Sequence, residues 1–446
     1  MVLAILGSAL VALGLLAVVT GILGVDDLAT LGERVGPILA FVTAMSVVTE
    51  LCSEAGVFRA IARRMRRWGR GRAWYLWLLV AALATVTTIF LSLDTTAVLL
   101  TPIVVTVARQ AGLPPLPFAL TTIWLANTAS LLLPISNLTN LLAQHQLGGV
   151  APAEYAGLIA LPALVAILVP LAFVAIVFRR DLGRRFNRVT VQRMPRATSI
   201  RSPRSPNPAA NRTVDPTAGS EATCTLEVTT TPAPTSTTAP ETTTGPRSST
   251  NAPRGRDPQL LVVSVVVLVA LLPALVSGIE VWIPSTIAAA VLSLAFLLRQ
   301  RSALTVKLIP WSLLLFATGL FLVMAALEQV GLPALLANVA GTGGTPADLF
   351  RLAGTGLVGS NIANNLPAYL ALEPVADSTQ RLLALLIGVN AGPLITPWAS
   401  LATLLWHHRL TQMNVIITWR GFALFGLILA PASVALSVLA LILVTR

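Results

Sequence analysis

The chain contains little charge, two cysteines and three histidines, and each shortage excludes a class of protein. Charged residues make up 11% of its 446 positions, too few for the surface of a soluble protein of this length. Cys52 and Cys224 are too far apart to indicate a disulfide framework or a zinc site. The histidines, His145, His407 and His408, all fall at predicted span ends, where they cannot form an intramembrane catalytic group. We therefore predict a protein that is not an enzyme and needs no cofactor or metal.

Long apolar blocks dominate the sequence instead. Hydrophobic residues account for 55% of the chain. They form blocks of about 20 residues separated by short polar or basic joints, which is typical of polytopic helical membrane proteins. The first block, 1–23, lacks the basic segment and cleavage site of a signal peptide, so we expect a retained first span. The predicted fold class is an all-α polytopic membrane protein.

The net charge of +12 is concentrated in a few joints between the apolar blocks. Seven arginines lie in 57–74 and ten more in 178–214. Threading the spans alternately across the bilayer puts these joints on one face, which the positive-inside rule makes cytoplasmic. The other face keeps Arg34, Arg351, Arg381 and Arg446. The charge therefore indicates topology in the plasma membrane, with a cytoplasmic N-terminus and an outer C-terminus, and we expect no nucleic-acid partner.

Residues 187–257 differ abruptly in composition from the rest of the chain. They are rich in Thr, Ser, Pro and Arg and include the tract "TTTPAPTSTTAPETTTGP". Such a segment cannot bury enough apolar surface to offset its ordering entropy, so we predict a disordered cytoplasmic linker. It acts as a tether, with docking or phosphorylation as the alternative. It divides the chain into segments 1–186 and 258–446.

The two segments beside the linker resemble each other in three stretches. "FVTAMSVVTELCSEAG" matches "FATGLFLVMAALEQVG", "LDTTAVLLTP" matches "NNLPAYLALEP", and "NTASLLLPISNLTNLL" matches "NAGPLITPWASLATLL". These alignments pair Asp94 with Asn365 and Asn127 with Asn390. The matches keep the same order, which predicts a duplicated unit. A basic joint follows the first-half span but not its partner, so we predict inverted repeats, as in many secondary transporters. The second half also has a span at 259–276 without a counterpart, so an N-terminal span is expected to be missing from the first half.

Two stretches, 126–142 and 390–405, place polar side chains and a proline inside apolar blocks. In hydrocarbon each freed backbone group costs several kcal/mol, so such a stretch is tolerated only where it lines a cavity or lies within protein. We predict two broken helices whose ends and amides face a polar solute. Interhelical packing by small and amide side chains is the alternative.

Two further stretches, "FLSLDTTAVLLTP" and "LVGSNIANNLPAYL", are short apolar runs that meet at a polar tip. They predict two re-entrant hairpins. Asp94 lies at the first tip and is the one acid expected deep in the membrane, where a carboxylate is a functional candidate by default. Capping of the following half-helix is its structural alternative. No arginine and no second deep acid are expected in the core, and we expect Glu50 and Glu54 to pair with the nearby arginines.

Four stretches carry a family resemblance: "SLDTTAVLLTPIV", "ANTASLLLPISNLTNLL", "GSNIANNLPAYL" and "GPLITPWASLATLLW". They resemble the signature stretches of the arsenical pump membrane proteins, the arsenite and antimonite efflux permeases of the ion transporter superfamily. The resemblance implies an elevator-type fold, in which two re-entrant hairpins and two broken helices move against outer helices. It also implies export driven by the proton gradient, a homodimer, and in some members a cytoplasmic ATPase subunit.

The resemblance assigns a solute site to the hairpin tips and broken helices, with Asp94 as the proton-coupling residue. The implied solute-binding residues are Thr95, Asn127, Ser136, Asn137, Asn140, Asn364, Asn365, Asn390, Thr396, Ser400 and Thr403. Arsenious acid is a neutral trihydroxyl solute near pH 7, which amides and hydroxyls suit without a buried arginine. A sodium/proton antiporter, a sodium-coupled dicarboxylate or sulfate carrier and, less favoured, a passive channel remain the alternatives, with sodium as the alternative coupling ion.

Overall fold

The computed structural model describes residues 2–68, 71–185 and 257–445. In these ranges the regular structure is helical, apart from one isolated bridge between Arg72 and Arg185. Six of the described helices are long and apolar enough to cross a membrane. The predicted all-α polytopic membrane protein is thus confirmed. The predicted linker lies outside the described residues except for Asp257, which caps the helix that follows it.

The described helices of eight residues or more are α1 to α17 in chain order; one of them, α5 (93–110), includes a π-helical stretch at Thr96–Leu100. The helices of the first segment are α1 (Val2–Val19), α2 (Val25–Ala55), α3 (Val57–Trp68), α4 (Ala73–Leu91), α5 (93–110), α6 (Leu116–Thr128), α7 (Leu138–Gln146) and α8 (Pro152–Val177). Those of the second are α9 (Pro258–Ala274), α10 (Trp282–Arg299), α11 (Trp311–Gln329), α12 (Leu332–Ala340), α13 (Pro346–Ala363), α14 (Asn365–Leu372), α15 (Thr379–Ala391), α16 (Leu401–Gln412) and α17 (Trp419–Val444).

The order of elements from α1 to α8 recurs from α10 to α17. Both α2 and α11 end before a glycine in the left-handed region, Gly56 and Gly331, each with φ near 89°. The next long helix of each segment is interrupted after Leu91 and after Ala363. Both series close with a 26-residue helix, α8 and α17.

The interruptions correct the sequence alignment of the hairpin tips by one residue. The backbone turns at Ser92, with φ 136° and ψ 163°, and at Asn364, with φ 130° and ψ 160°. These two residues are therefore equivalent. Asp94 then corresponds to Leu366 and not to Asn365, so the second tip has a leucine where the first has its carboxylate.

Each outer helix of one segment packs against an outer helix of the other segment. Helix α1 packs on α11, while α10 packs on α2. The α1–α11 approach is so close that a Cβ on Gly7 would lie 2.7 Å from the backbone N of Phe316, and one on Gly319 2.6 Å from the backbone N of Val11. Helices α8 and α17 also pack on each other. Neither segment could therefore bury its own apolar surfaces without the other.

The contact between α13 and α15 predicts a sensitive glycine. A Cβ on Gly388 would lie 2.3 Å from the carbonyl oxygen of Ala353, whereas one on Gly354 would meet nothing within 4 Å. We expect Gly388→Ala to destabilise the protein by about 1–3 kcal/mol, because backbone must shift to admit the methyl group. Gly354→Ala is the matched control and should be neutral or slightly stabilising. Thermal unfolding of the two variants in detergent checks this, and equal stabilities would contradict it.

Candidate functional site

The first hairpin tip is a helix end and a helix start joined by one residue. Ser92 Oγ accepts a hydrogen bond from the Thr95 amide at 3.3 Å and donates to Thr95 Oγ1 at 3.0 Å. The Thr88 hydroxyl donates to Thr96 Oγ1 at 2.9 Å across the same turn. A non-glycine residue at positive φ persists only where its surroundings hold it. Ser92 is thus the cap of α5, and Asp94 is free of that structural role.

Asp94 lines a cavity of about 630 Å³. Its Oδ1 atom is buried and has no hydrogen-bond partner among the described residues. Thr95, Ser136 and Asn137 line the same cavity. Its wall also includes parts of α2, the segment that leads into α11, and Leu405 of α16. The structure therefore brings four of the predicted site residues to one cavity.

The lining of the cavity is mostly apolar, with a few polar side chains. Among the described residues that line it, Asp94 is the one ionisable side chain, and none is cationic. The neutral polar lining side chains are Ser46, Ser92, Thr95, Ser136, Asn137, Ser312 and the indole of Trp311. Within the described ranges no cluster of three or more His, Cys, Asp or Glu side chains could hold a metal ion. The chemistry available is hydrogen bonding to a small solute beside one carboxylate.

Both predicted broken helices are broken in the structure. Helix α6 ends at Thr128, and two 3₁₀ turns, Ala129–Leu132 and Pro134–Ser136, lead to α7 at Leu138. Helix α15 ends at Ala391, and one turn at Pro397–Ala399 leads to α16. The residues that start the second half-helices, Asn137 and Ser400, have similar extended backbones, with φ −151° and −143°. Proline and the polar residues mark the positions where the helices stop.

An amide network joins the two breaks at Asn390. Asn390 Oδ1 accepts from Asn137 Nδ2 at 2.6 Å and from the Thr139 hydroxyl at 3.0 Å. Its Nδ2 donates to Asn140 Oδ1 at 2.6 Å. Asn140 in turn donates to the carbonyls of Ser130 and Leu133, 2.6 and 3.1 Å away. Three predicted site residues, Asn137, Asn140 and Asn390, therefore meet in one buried network.

The network predicts a large loss of stability on substitution of Asn390. Asn390→Ala would leave the Asn137 amide, the Thr139 hydroxyl and the Asn140 carbonyl oxygen without their partner. Each buried group left unpaired costs about 1–3 kcal/mol, so we expect a loss of about 3 kcal/mol or more. Asn338→Ala, on the exposed side of α12, is the matched control. Equal thermal stability of the two detergent-solubilised variants would show that Asn390 does not hold the breaks together.

The three residues that correspond to this network in the other repeat each have a side-chain oxygen without a hydrogen-bond partner in the described structure. Asn127, Ser400 and Thr403 correspond to Asn390, Asn137 and Asn140 in the matched stretches. The Oδ1 of Asn127, the Oγ of Ser400 and the Oγ1 of Thr403 are buried, and none has a hydrogen-bond partner in the described structure. Helix α16 packs against α5 and α6, which carry Asp94 and Asn127. The polar groups around Asn390 are thus bonded to one another, whereas Asn127, Ser400 and Thr403 keep oxygen atoms that could bond a solute.

Asn361 organises the second hairpin and was not predicted as a site residue. Its Oδ1 accepts from the amides of Ile395 and Thr396 at 3.2 and 3.0 Å, and its Nδ2 donates to the carbonyl of Gly392 at 2.9 Å. The Thr396 hydroxyl and the Trp398 indole both donate to its carbonyl. The sequence signal for it was an asparagine three residues before the tip in "GSNIANN".

The remaining predicted residues form hydrogen bonds within the protein. Ser136 Oγ donates to the carbonyl of Ile89 at 2.9 Å. Asn364 Nδ2 donates to the carbonyl of Trp398 at 2.8 Å, and Asn365 Oδ1 accepts from the amide of Leu366 at 2.9 Å. With Thr396 bound to Asn361, the Asn364–Trp398 contact fastens the second tip to the second break. The predicted residues therefore fall into two groups in the described structure: those bonded to other protein groups, and those with a polar atom that lacks a partner.

Two charged side chains, Arg381 and Glu373, are buried in the protein at the ends of α15 and α14. Arg381 is buried and donates to the carbonyls of Gly341, Gly343 and Val375. Glu373 is also buried, accepts from the Tyr369 hydroxyl at 3.0 Å and pairs with Arg34. Buried charges are tolerated here because each has several partners. Neither side chain lines the 630 Å³ cavity.

The chain as a whole matches a known family of proteins. The family described as "CitMHS: Citrate transporter" matches residues 1–403. The arsenical pump membrane protein of Escherichia coli (strain K12) is 26% identical over 433 residues, 93% of this chain and 88% of that protein. Its Yersinia enterocolitica relative of the same name is 27% identical over the same shares. The resemblance to arsenical pump membrane proteins is thereby confirmed. The chain is a membrane transporter and belongs to the Citrate transporter family.

Proposed function

We propose that this transporter is a secondary active carrier that exports arsenite or antimonite in exchange for protons. The observation that carries the proposal is the 630 Å³ cavity, whose described lining has one carboxylate, several hydroxyls, one amide and no cation. A neutral trihydroxyl solute needs only hydrogen-bond donors and acceptors. The names of the arsenical pump relatives support the same substrate class.

The lining disfavours a citrate-like anion as the solute. A carboxylate anion in a low-dielectric cavity requires compensating positive charge. The one charged lining side chain, Asp94, has the same sign as citrate and would repel it. Bound sodium ions could supply the missing charge, and the description of the family names citrate, so the sodium-coupled anion carrier is the second candidate.

The mechanism we propose uses the two sets of helix breaks as inverted repeats. In this proposal the hairpins α4–α5 and α13–α14 are re-entrant, and they move with α6–α7 and α15–α16 against the outer helices. The lining of the cavity includes Ile309, Pro310 and Trp311, which directly follow the basic joint at Arg299, Arg301 and Lys307. Because the proposal puts basic joints on the cytoplasmic side of the plasma membrane, it also takes the cavity to be reached from inside the cell. A homodimer and a cytoplasmic ATPase subunit belong to the same proposal.

Transport in proteoliposomes tests the proposal. Purified protein is reconstituted, and uptake of arsenite, antimonite and citrate is measured under an imposed pH gradient, an imposed sodium gradient, or neither. We expect arsenite or antimonite to accumulate above equilibrium only with the pH gradient. Accumulation of citrate with the sodium gradient would establish the second candidate. Equilibration of arsenite without accumulation under either gradient would indicate a passive channel.

A further inference from the structure

A second cavity, of about 370 Å³, lies between α3 and the C-terminal half of α5. It is distinct in its lining from the cavity of Asp94. Two arginines of α3, Arg59 and Arg63, contribute to it. The α5 side contributes Pro102, Ile103, Thr106, Val107 and Gln110. No acidic side chain is among these described lining residues, so the cavity combines a cationic edge with an apolar floor.

The amphipathic sequence of α3 explains how the arginines reach this position. Gly56, with φ 89°, lets the chain turn directly from α2 into α3. Val57, Phe58 and Met65 are buried against the protein, whereas Arg59 and Arg63 are exposed. The two arginines are four residues apart and therefore lie on the same face of the helix. The Arg59 guanidinium also reaches the carbonyl of Ser53, 3.4 Å away.

Several features place α3 at the level of the membrane surface. It connects the end of one candidate span, at Ala55, to the start of the next, at Ala73. Trp68 and Trp74 flank that connection and are 51% and 45% exposed. Tryptophan is enriched where a membrane meets water, and an amphipathic basic helix between two spans suits the same depth. We therefore expect the cavity to face the layer of lipid head groups.

We propose that this cavity binds an anionic phospholipid. Guanidinium groups bind phosphate with paired hydrogen bonds, and Arg59 and Arg63 offer two of them at one rim. Ile103, Val107 and Pro102 provide an apolar surface for the start of the acyl chains. Basic pockets of this kind beside membrane helices favour anionic head groups. A free inorganic anion would use the arginines but gain nothing from the apolar floor.

The bound lipid would link α3 to the helix that carries Asp94. Arg59 and Arg63 belong to α3, and the apolar floor belongs to α5, whose first turn contains Asp94. A lipid in the cavity holds the two helices together, so its loss should also lower thermal stability. This inference does not depend on which solute the protein carries.

Native mass spectrometry of the full-length protein in detergent tests the lipid site. Binding of phosphatidylglycerol and of phosphatidylcholine is titrated for the unaltered protein, for Arg59→Gln/Arg63→Gln, and for the control Arg179→Gln/Arg180→Gln. The control removes the same charge from an exposed joint outside the cavity. We expect the first double variant to bind phosphatidylglycerol about 30-fold more weakly, since each arginine near the membrane surface strengthens the attraction of anionic lipid about fivefold.

Two further measurements separate a bound lipid from a free anion and from a folding defect. Arg59→Lys/Arg63→Lys retains the charge but not the paired hydrogen bonds, and should restore part of the binding, which distinguishes a charge effect from misfolding. Inorganic phosphate in large molar excess should not displace phosphatidylglycerol. Displacement by phosphate, equal binding of phosphatidylcholine, or equal weakening in the control variant would each overturn the proposal.

Discussion

Replacing Asp94 with asparagine should abolish solute accumulation driven by the pH gradient. Asparagine has nearly the same shape and can still form hydrogen bonds, but it cannot take up and release a proton. Asp94 Oδ1 has no partner in the described structure, so the substitution breaks no protein contact there. It also removes a carboxylate whose charge is costly to bury. We therefore expect folding and membrane insertion to be retained, and downhill exchange of solute to persist.

Uptake by proteoliposomes with and without a pH gradient checks this expectation. Asp26→Asn, on the exposed first turn of α2, is the matched control and should accumulate solute as the unaltered protein does. If Asp94→Asn still concentrates solute with the same dependence on external pH, the proton is carried by another group, and Asp94 has no coupling role. Loss of downhill exchange as well would mean that Asp94 binds the solute itself.

The helix breaks could be predicted from the sequence because their causes are local. Pro134 and Pro397 cannot continue a helix, and amides beside them are tolerated only within protein. The order of the matched stretches could also be recognised, since both segments place these residues at the same spacing. The apolar blocks indicated the fold class for the same reason. Each of these inferences needs only neighbours along the chain.

The equivalence of the two tips could not be predicted because it depends on backbone conformation. The alignment matched Asp94 to Asn365 by polarity. The structure instead makes Ser92 and Asn364 equivalent through their positive φ. Neither serine nor asparagine is obliged to adopt that conformation, and only the contacts around each tip impose it.

Contacts between distant parts of the chain could not be predicted from the sequence either. Arg34 and Glu373 pair across 339 positions, so no local pattern indicates that Glu373 is buried beside an arginine. Arg381 is buried because carbonyls of two separate loops surround it. The difference in hydrogen bonding between the two breaks could not be predicted from the sequence either. Asn127 and Asn390 occupy equivalent positions, yet the Oδ1 of Asn390 has partners and the Oδ1 of Asn127 has none in the described structure.

This inequality makes Thr403 a sharper test of the solute site than Asn137. Asn137 is bonded to Asn390, so changing it alters both the cavity and the junction between the breaks. Thr403 is fully buried, and its hydroxyl has no partner among the described residues. Valine has nearly the same shape without the hydroxyl. Since an unpaired buried hydroxyl is unfavourable, Thr403→Val should leave stability unchanged or raise it by about 1 kcal/mol.

Thr403 does not itself line the described cavity, although Leu401 and Leu405 of the same helix do. If its free hydroxyl bonds the solute during transport, loss of that hydrogen bond of about 1.4 kcal/mol should lower transport about 10-fold or more. Thr139→Val is the matched control: its hydroxyl donates to Asn390 at 3.0 Å, so it should lose about 1 kcal/mol of stability. Thermal unfolding and proteoliposome uptake are measured for both variants. Normal uptake by Thr403→Val would mean that the hydroxyl faces no solute. A loss of stability equal to that of Thr139→Val would mean that the Thr403 hydroxyl has a partner within the protein. Thr403 would then serve the packing of the helices and not the solute.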